Sequence, residues 1–246
     1  MNFSGISNTT LLGRILRWPL RLIPSSAIVP ILQGPMRSKK WVVGSGTHGC
    51  WMGSFEHRKQ RVFTKTVVAG DVVYDLGANV GFYSLLASVL VADAGSVYCF
   101  EPLRRNIEYL RKHLALNRLR NCIVFEAAAA NTDGEACFEN GTDPTMGRLS
   151  ERGKIVVRSV RLDSLVSRGE IRPPNVMKMD IEGGELEALK GCAETIERYR
   201  PTILLATHGP EVHRSCLEFL RQRGYRLESL TTEPVESSEE LIARAK

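Results

Sequence analysis

The 246-residue sequence lacks several features that mark other classes of protein. No run of 18 or more uncharged apolar residues occurs, so no transmembrane helix is predicted. Residues 11–23 do not form a clean signal peptide, because Arg14, Arg17, Pro19 and Arg21 interrupt the apolar core such a peptide needs. The composition is neither disordered nor collagenous. The length fits one sizeable α/β domain with a small N-terminal extension.

Paired cysteines are also missing. The six cysteines are scattered, and none forms a Cys-x-x-Cys pair, which argues against a zinc site or a dithiol redox motif. Most of them lie in apolar or helical stretches, where a reduced cysteine behaves as a small hydrophobe. We therefore expect a reducing compartment, the cytoplasm.

Positive charge is concentrated at the beginning of the chain. Residues 1–65 contain ten Lys and Arg but only one acidic residue, Glu56, whereas the whole chain has a net charge of +6. We assign residues 1–49 to a basic N-terminal extension and 50–246 to the main domain. The basic segment either contacts an anionic substrate or a membrane surface, peripherally at its inner face, or forms a solvated arm on an acidic domain. Nucleic acid is not expected as a partner, because no aromatic residues interleave with these charges.

From about residue 50 the pattern alternates between strands and helices, which predicts βαβ units and a mainly parallel sheet. Strands are predicted at 71–76, 96–100, 122–125, 176–179, 202–206 and 225–229, with a last edge strand at 241–245. Helices are predicted at 81–90, 103–116, 184–198 and 211–223, and a short one at 10–17 capped by Thr10. The polar stretch 131–160 is expected to hold a hairpin between 136–139 and 154–160.

Polar residues gather where these strands end. In such sheets ligands bind at the carboxyl ends of the strands. The residues at those positions are Asp75, Glu101, Glu126, Ala127, Asp180 and His208.

The turn after the first of these strands carries the strongest chemical signal. Gly77 and Gly81 allow close approach of the backbone to a ligand, and the turn opens onto a helix N-terminus. Glu101 follows Gly81 by 20 residues, the offset at which a carboxylate accepts the two hydroxyls of a ribose. Together these residues predict an adenosine-containing cofactor.

The charge at this turn distinguishes two such cofactors. The dinucleotide fingerprint needs three glycines, but Asn79 stands where the second would be. The carboxylate of Asp75 would repel a diphosphate and attract the ammonium group of a methionine moiety. S-adenosylmethionine is therefore favoured. The alternatives are an NAD-dependent oxidoreductase and a tight turn with a capping acid that binds no ligand.

Several segments resemble the FkbM-type methyltransferases. They are Glu-Pro at 101–102, VMKMDIEGGE at 176–185, RPTILLATHG at 200–209 and, upstream, WMGSFE at 51–56. The resemblance covers roughly residues 50–246 and is most specific at 178–183. It implies a Rossmann-like class I methyltransferase fold, an α/β structure whose mainly parallel seven-stranded sheet has helices on both faces.

The resemblance also implies an activity. Members usually transfer a methyl group from S-adenosylmethionine to a hydroxyl oxygen of a sugar, polyketide or similar molecule, so a small-molecule or glycan acceptor is expected. It further implies that Glu56 contacts the cofactor. One departure concerns Ala206, where many members carry Glu two residues before His208. A non-catalytic adapter that retains the fold, and methyl transfer to nitrogen or a protein side chain, remain open.

Methyl transfer to a hydroxyl requires alignment and removal of a proton. His208 is the candidate general base, since an ordinary pKa near 6.5 would leave its imidazole mostly neutral; the alternative is a hydrogen-bonded turn histidine. Asp180 is expected to hold substrate or assist the base, or to cap the next helix. Lys178, on the same strand face, is expected to pair with an acid near the site.

Two further expectations concern the segment after Asp180. Glu182 and Glu185 either bind substrate or are acids favoured at a helix start by the macrodipole. No metal is expected, because Asp180 and Glu182 are close in sequence and the strand at 202–206 is not followed by a third carboxylate or an Asn.

Overall fold

The computed structural model describes residues 20, 22–140, 147–149 and 153–246. The predicted helix at 10–17, with Thr10 as its cap, lies outside the described residues. Within the described part of the chain, no helix is long and apolar enough to cross a membrane.

A seven-stranded sheet forms the centre of the molecule. Its members are β3 (Val72–Leu76), β4 (Ser96–Phe100), β5 (Cys122–Phe125), β10 (Val176–Met179), β11 (Thr202–Ala206), β12 (Tyr225–Ser229) and β13 (Glu240–Ala245). They lie in the order β12-β13-β11-β10-β3-β4-β5. Neighbouring strands from β11 to β5 are parallel, whereas β13 is antiparallel to both β11 and β12. The predicted α/β class with a mainly parallel seven-stranded sheet is confirmed.

The prediction of β13 as an edge strand is wrong. β13 pairs with β11 on one side and with β12 on the other, so β12 forms the edge. Leu241, Ile242 and Ala243 are all buried, as expected for a strand covered on both sides.

Helices cover both faces of the sheet. They are α1 (His48–Met52), α2 (His57–Thr66), α3 (Phe82–Val91), α4 (Arg104–Leu116), α5 (Leu162–Ser167), α6 (Glu185–Gly191), α7 (Ala193–Tyr199) and α8 (Pro210–Gln222). Val73 packs into the core beneath α3 and α4, whereas its neighbours Val72 and Tyr74 pack into the core beneath α5 to α8. Apolar side chains thus alternate between two cores, because each strand is buried on both faces.

The single helix predicted at 184–198 is divided. α6 ends at Gly191 and α7 begins at Ala193, with Cys192 outside helical geometry between them. A Cβ at Gly191 would overlap the backbone oxygen of Ala130, so the helix passes against the backbone just after β6 at the point where it breaks. Glycine is also a weak helix former, which favours a break at this point.

A second, four-stranded sheet lies beside the main one. It consists of β6 (Ala128–Ala129), β7 (Gly134–Asn140), β8 (Gly147–Leu149) and β9 (Ile155–Val160) in the order β6-β9-β7-β8. The antiparallel pairing of β7 with β9 confirms that the two predicted segments pair, although β8 lies between them in the chain and pairs with the other side of β7. Phe138 of β7 is buried against Leu103, Ala128 and Val157.

The described part of the predicted N-terminal extension packs into the domain. β1 (Ile28–Pro30) and β2 (Lys40–Val42) form a hairpin followed by a short 3₁₀ helix (Val43–Ser45). Trp41 is fully buried and stacks on His113 of α4, with ring centroids 3.8 Å apart. His113 contacts the backbone oxygen of Val80 through Nδ1 (2.8 Å) and accepts from the backbone N–H of Val42 through Nε2 (3.1 Å). Residues on both sides of position 49 therefore contribute to the same hydrophobic core, and the boundary at that position stays a prediction.

Candidate active site

A cavity of about 460 Å³ opens at the carboxyl ends of the parallel strands. Its wall includes the glycine turn (residues 77–81, after β3) except Gly81, Glu101 (after β4), the Asp180 turn (residues 180–184, after β10) except Gly183, and His208 (after β11). Residues from the N-terminal segment, including Glu56 and Lys59, complete the wall. The structure thus brings together most of the polar residues that the strand-end argument selects.

The glycine turn is held by the neighbouring strand. The backbone N–H groups of Gly77 and Ala78 both donate to the oxygen of Phe100 at 3.0 Å. Gly77 has φ +74°, and a Cβ there would overlap the backbone oxygen of Asp180. The glycine turn and the Asp180 turn therefore lie in contact, and only glycine fits between them.

Glu101 is buried at the cavity wall and accepts three hydrogen bonds from the protein. Its Oε2 accepts from the backbone N–H of Asn79 (2.8 Å), and its Oε1 from Leu103 N–H (2.9 Å) and from Asn106 Nδ2 (3.2 Å). Burial raises the pKa of Glu101, although these hydrogen bonds oppose the rise. A carboxylate has about four acceptor positions, so about one remains for a ligand hydroxyl.

Asp75 and Lys178 form a buried ion pair behind the glycine turn. They are direct partners on the adjacent parallel strands β3 and β10, with Nζ 3.2 Å from Oδ1. Asp75 also accepts from Ser84 Oγ (2.6 Å), and Lys178 donates to the backbone oxygen of Gly77 (2.8 Å). Lys178 thus has the acidic partner expected for it. Asp75 is not among the described residues that line the cavity, whereas Lys178 is.

The end of β5 differs from expectation. Glu126 is exposed and pairs with Arg111 at 2.6 Å, and Ala127 is buried in a core. Neither residue is among those that line the cavity; Ala128 and Ala129 of β6 occupy that part of the wall. The chain turns into the second sheet directly after β5, and this turn moves Glu126 away from the cavity.

Asp180 pairs directly with Lys59 and also experiences the charge of Lys178. Its Oδ2 lies 2.7 Å from Nζ of Lys59, and Lys59 also lies 3.2 Å from Glu56 and 3.6 Å from Glu240. Burial alone would raise the pKa of Asp180, but the charges of Lys178 and Lys59 lower it to about 2. Asp180 is therefore ionised at every physiological pH.

His208 faces the Asp180 turn across the cavity. Its Nε2 lies 3.8 Å from Asp180 Oδ1 and 3.6 Å from Glu182 Oε2, while its Nδ1 lies 2.8 Å from Glu185 Oε1. The hydrogen bond to Glu185 and the charges of Glu185, Glu182 and Asp180 raise the pKa of His208 to about 9. The expectation of an ordinary pKa near 6.5 is wrong, because sequence reasoning placed no carboxylate against Nδ1.

Asp180, Glu182 and His208 also meet the spacing of a cation site. One ligand atom from each lies within 4.8 Å of the other two. His208 supplies the third group that sequence reasoning did not find at the end of β11. However, Lys59 already neutralises Asp180 at 2.7 Å, so the cluster has an internal counter-ion.

Sequence reasoning missed several residues of the site. Lys59 entered the sequence argument only as part of the basic segment, yet its side chain is 2% exposed and central to the charge network. Glu239 and Glu240 line the cavity from the start of β13. Glu56 directly precedes α2 and Lys59 lies in its first turn, and this spacing of three residues was the available signal for Lys59.

Known proteins resemble this chain in sequence. The family model described as "Methyltransferase FkbM domain" matches residues 75–227. The hexuronic acid methyltransferase AglP of Haloferax volcanii is 28% identical over 144 residues, which are 56% of this chain and 56% of that protein.

Solved structures resemble it in fold. A ribosomal protein L11 methylase from Lactobacillus delbrueckii subsp. bulgaricus superimposes with a TM-score of 0.50 at 10% identity, covering 82% of this chain and 81% of that chain. The FkbM methyltransferase of Methylobacillus flagellatus gives a TM-score of 0.49 at 17% identity, covering 81% of this chain and 55% of that chain. The chain thus spans little more than half the length of AglP and of the Methylobacillus protein.

Proposed function

The chain belongs to the FkbM methyltransferase family, its cofactor is S-adenosylmethionine, and we propose that it methylates a hydroxyl oxygen of a sugar, glycan or small-molecule natural product. The observation that supports this most is the shared cavity. The glycine turn and Glu101 line one part of its wall, here called the cofactor end, and Asp180 and His208 line another, here called the acceptor end. A cofactor-binding turn and a candidate base therefore face the same space.

The residues of the first part suit the cofactor. Glu101 has an acceptor position for a ribose hydroxyl, and the glycine turn precedes the N-terminus of α3. Glu56 adds negative charge beside this turn, because its partner Lys59 is shared with Asp180 and Glu240, and this charge complements a cationic ligand. The charge of Asp75 is offset by Lys178. When bound, S-adenosylmethionine supplies an electrophilic methyl group on a sulfonium. We propose cofactor contacts for Glu56, Gly77, Asn79 and Glu101, all of which line the cavity. Asp75 lies behind the turn, and Gly81, expected as a contact, packs against Leu110 instead.

The residues of the other part suit proton removal. His208 presents Nε2 to the cavity and, when neutral, accepts the proton of the acceptor hydroxyl. Asp180, fixed as an anion by Lys59, orients that hydroxyl or stabilises the imidazolium that forms. In the ligand-free protein the raised pKa keeps His208 cationic near neutral pH, and positive charge brought into the cavity lowers that pKa. Lys178 acts by holding the glycine turn, and Glu182 contacts the acceptor.

The lining charges favour a neutral acceptor. The described lining residues include six carboxylates against two lysines; these are Glu56, Glu101, Asp180, Glu182, Glu239 and Glu240, with Lys59 and Lys178. Although AglP is named for hexuronic acid, we expect a neutral hexose to be methylated with a lower KM than its uronic acid. The opposite order would show that a cationic group outside this set binds the carboxylate.

Two measurements test the function. Calorimetry with S-adenosylhomocysteine should show binding, whereas NAD should not bind. Labelled S-adenosylmethionine offered with paired neutral and uronic sugars, and with amines, should label a hydroxyl. Cofactor binding without transfer to any acceptor would favour the adapter, and labelling of amines alone would favour N-methylation.

We also propose that no metal ion is required, because Lys59 already occupies the position of a counter-ion beside Asp180. Treatment with a chelator should leave the activity unchanged. Loss of activity that magnesium restores would contradict this and would identify Asp180, Glu182 and His208 as ligands.

We further propose a cytoplasmic protein whose N-terminal part contacts an anionic membrane surface. The six cysteines are free, and several exposed basic residues have no acidic partner in the described part of the chain; these are Arg37, Lys40, Arg58, Arg61 and Lys65. The double variant Arg58→Gln/Arg61→Gln should bind phosphatidylserine vesicles more weakly than the wild type, with no change on phosphatidylcholine. Equal binding by both proteins would support a solvated basic face instead.

A further inference from the structure

Glu185 is a fully buried acid directly behind the acceptor end of the cavity, in contact with His208. It is the first residue of α6, and its side chain is 0% exposed. No Lys or Arg of the described chain lies within ion-pair distance of it, and its Oε2 has no hydrogen-bond partner there. A buried carboxylate is costly unless it is paired. Its partner is His208.

One oxygen of Glu185 connects two loops. Oε1 lies 2.8 Å from Nδ1 of His208 and accepts from the backbone N–H of Gly183 at 3.0 Å. The same oxygen lies 3.4 Å from the backbone nitrogen of Ile181. It therefore holds the Asp180 turn after β10 and the imidazole after β11 in one arrangement.

This contact also determines the proton position on the imidazole. An ionised carboxylate can only accept hydrogen bonds, so Nδ1 of His208 must be the donor. In the neutral imidazole the lone pair is then on Nε2, the nitrogen that faces Asp180 and Glu182. That nitrogen is the one available to an acceptor hydroxyl.

We infer that Glu185 is the positioning residue for His208: it fixes the imidazole with its proton on Nδ1 and its Nε2 lone pair toward the acceptor. This inference rests on the proposed function insofar as His208 is the base. Ala206, two residues before His208, lines the cavity without a carboxylate, and Glu185 supplies one from the neighbouring turn. A positioning carboxylate of this kind keeps a catalytic histidine in the required tautomer.

The electrostatic surroundings of His208 come from several elements. Asp180 and Glu182 face it from the turn after β10, and Glu185 faces it from α6. Lys59 of α2 offsets the charge of Asp180, and Glu239 lines the same cavity before β13. Removing the charge of Glu185 therefore leaves two acids near Nε2 and none on Nδ1.

The test compares Glu185→Gln with Glu187→Gln, a matched change two residues along the same helix. Glu187 is half-buried, with a side chain 41% exposed, and bonds to Lys190 and Asn131. Nitrogen-15 NMR of the free protein reports the titration of His208 and, at a pH above its pKa of about 9, where the imidazole is neutral, its tautomer, without requiring activity. We expect wild type and Glu187→Gln to keep the proton on Nδ1, and Glu185→Gln to give mixed tautomers and a pKa lower by at least about one unit.

Activity gives a second readout. Once an acceptor is known, Glu185→Gln should lower kcat by roughly 10–100-fold with little change in acceptor KM, and move the acidic limb of the pH profile to lower pH.

If Glu185→Gln does not fold, the wild-type protein still tests the inference, because a strong hydrogen bond from Nδ1–H of His208 to Glu185 gives a slowly exchanging, downfield proton signal. Absence of that proton, or an unchanged His208 titration in a folded Glu185→Gln, overturns the inference. A protein that shows the NMR effects but methylates no hydroxyl refutes the proposed function and leaves the Glu185–His208 pair intact.

Discussion

The cofactor end and the acceptor end of the cavity hold their carboxylates with different partners. At the cofactor end, Glu101 is held by backbone N–H groups and an amide, two of them within five residues along the chain. At the acceptor end, Asp180 is held by Lys59, 121 residues away, and His208 by Glu185, 23 residues away. The first arrangement is largely local in sequence, whereas the second exists only after distant segments have packed together.

The largest effect should come from removing the candidate base. His208→Ala should lower kcat by about 10²–10⁴-fold, because general base catalysis contributes that much, while the Kd for S-adenosylhomocysteine stays unchanged. His57→Ala, an exposed histidine on α2, should change neither quantity. An equal loss of cofactor affinity in His208→Ala would show that the two ends of the cavity are not separable.

The contact between the glycine turn and the Asp180 turn predicts the second-largest effect, a loss of stability. Gly77→Ala and Gly70→Ala both place a side chain at positive φ, which costs about 1–2 kcal/mol, but only Gly77 has a backbone oxygen in the way and Gly70 has nothing within 4 Å. We expect Gly77→Ala to lose a further roughly 1–3 kcal/mol in the free energy of unfolding. Urea denaturation measures both variants, and equal losses would refute the close contact with Asp180.

At the cofactor end, Glu101→Ala should weaken binding of S-adenosylhomocysteine by about 10–100-fold, the value of a hydrogen bond to a charged group. Glu126→Ala is the control, because Glu126 is exposed and pairs with Arg111. Calorimetry on both variants decides between the strand-end expectation and the structure. If Glu126→Ala weakens binding as strongly, the strand-end expectation holds.

The smallest expected effect is on the pH dependence of stability, to which a histidine at each end of the cavity contributes with opposite sign. Burial lowers the pKa of His113, behind the glycine turn, from 6.5 to about 4, so acid protonates the unfolded chain first and stability falls as the pH drops from 6.5 to 4. We expect a loss of about 1–3 kcal/mol over this range, absent in His113→Gln.

His208 has the opposite sign. Its pKa is raised to about 9, so its contribution is fully present below pH 6.5 and is lost as the pH rises through 9. Urea denaturation of wild type and His113→Gln from pH 4 to 7 isolates the acid side. Parallel curves for the two proteins would contradict the assignment to His113.

The sequence was sufficient to predict those features that depend on residues close together in the chain. The parallel strands, the glycine turn and the position of Glu101 were predicted, because period, turn residues and strand-end spacing depend on neighbouring residues. The pairing of Lys178 with an acid was also expected, since a lysine in an apolar strand needs one. Family resemblance added the class of fold, which the family match and the sheet topology confirm.

The acceptor end could not be predicted in the same way. Nothing near Lys59 in the sequence indicates that it packs against Asp180, and Glu185 reads equally well as a helix-start acid. The raised pKa of His208 depends on three carboxylates from another turn and helix, so its protonation state follows from tertiary structure alone. The position of β13 failed for a related reason: strand order across a sheet is not contained in the pattern of any one strand.

The insertion of β13 between β11 and β12 bears on how the chain emerges from the ribosome. β12 is synthesised before β13 but pairs with the central sheet only through β13. Until β13 has been synthesised, β12 therefore has no partner strand in the sheet, and the edge of β11 stays unpaired. Glu240, at the start of β13, is also the last partner to reach Lys59. A nascent chain stalled before residue 240 would therefore expose a sheet edge to chaperones and aggregation, and would carry a binding pocket with part of its wall not yet made.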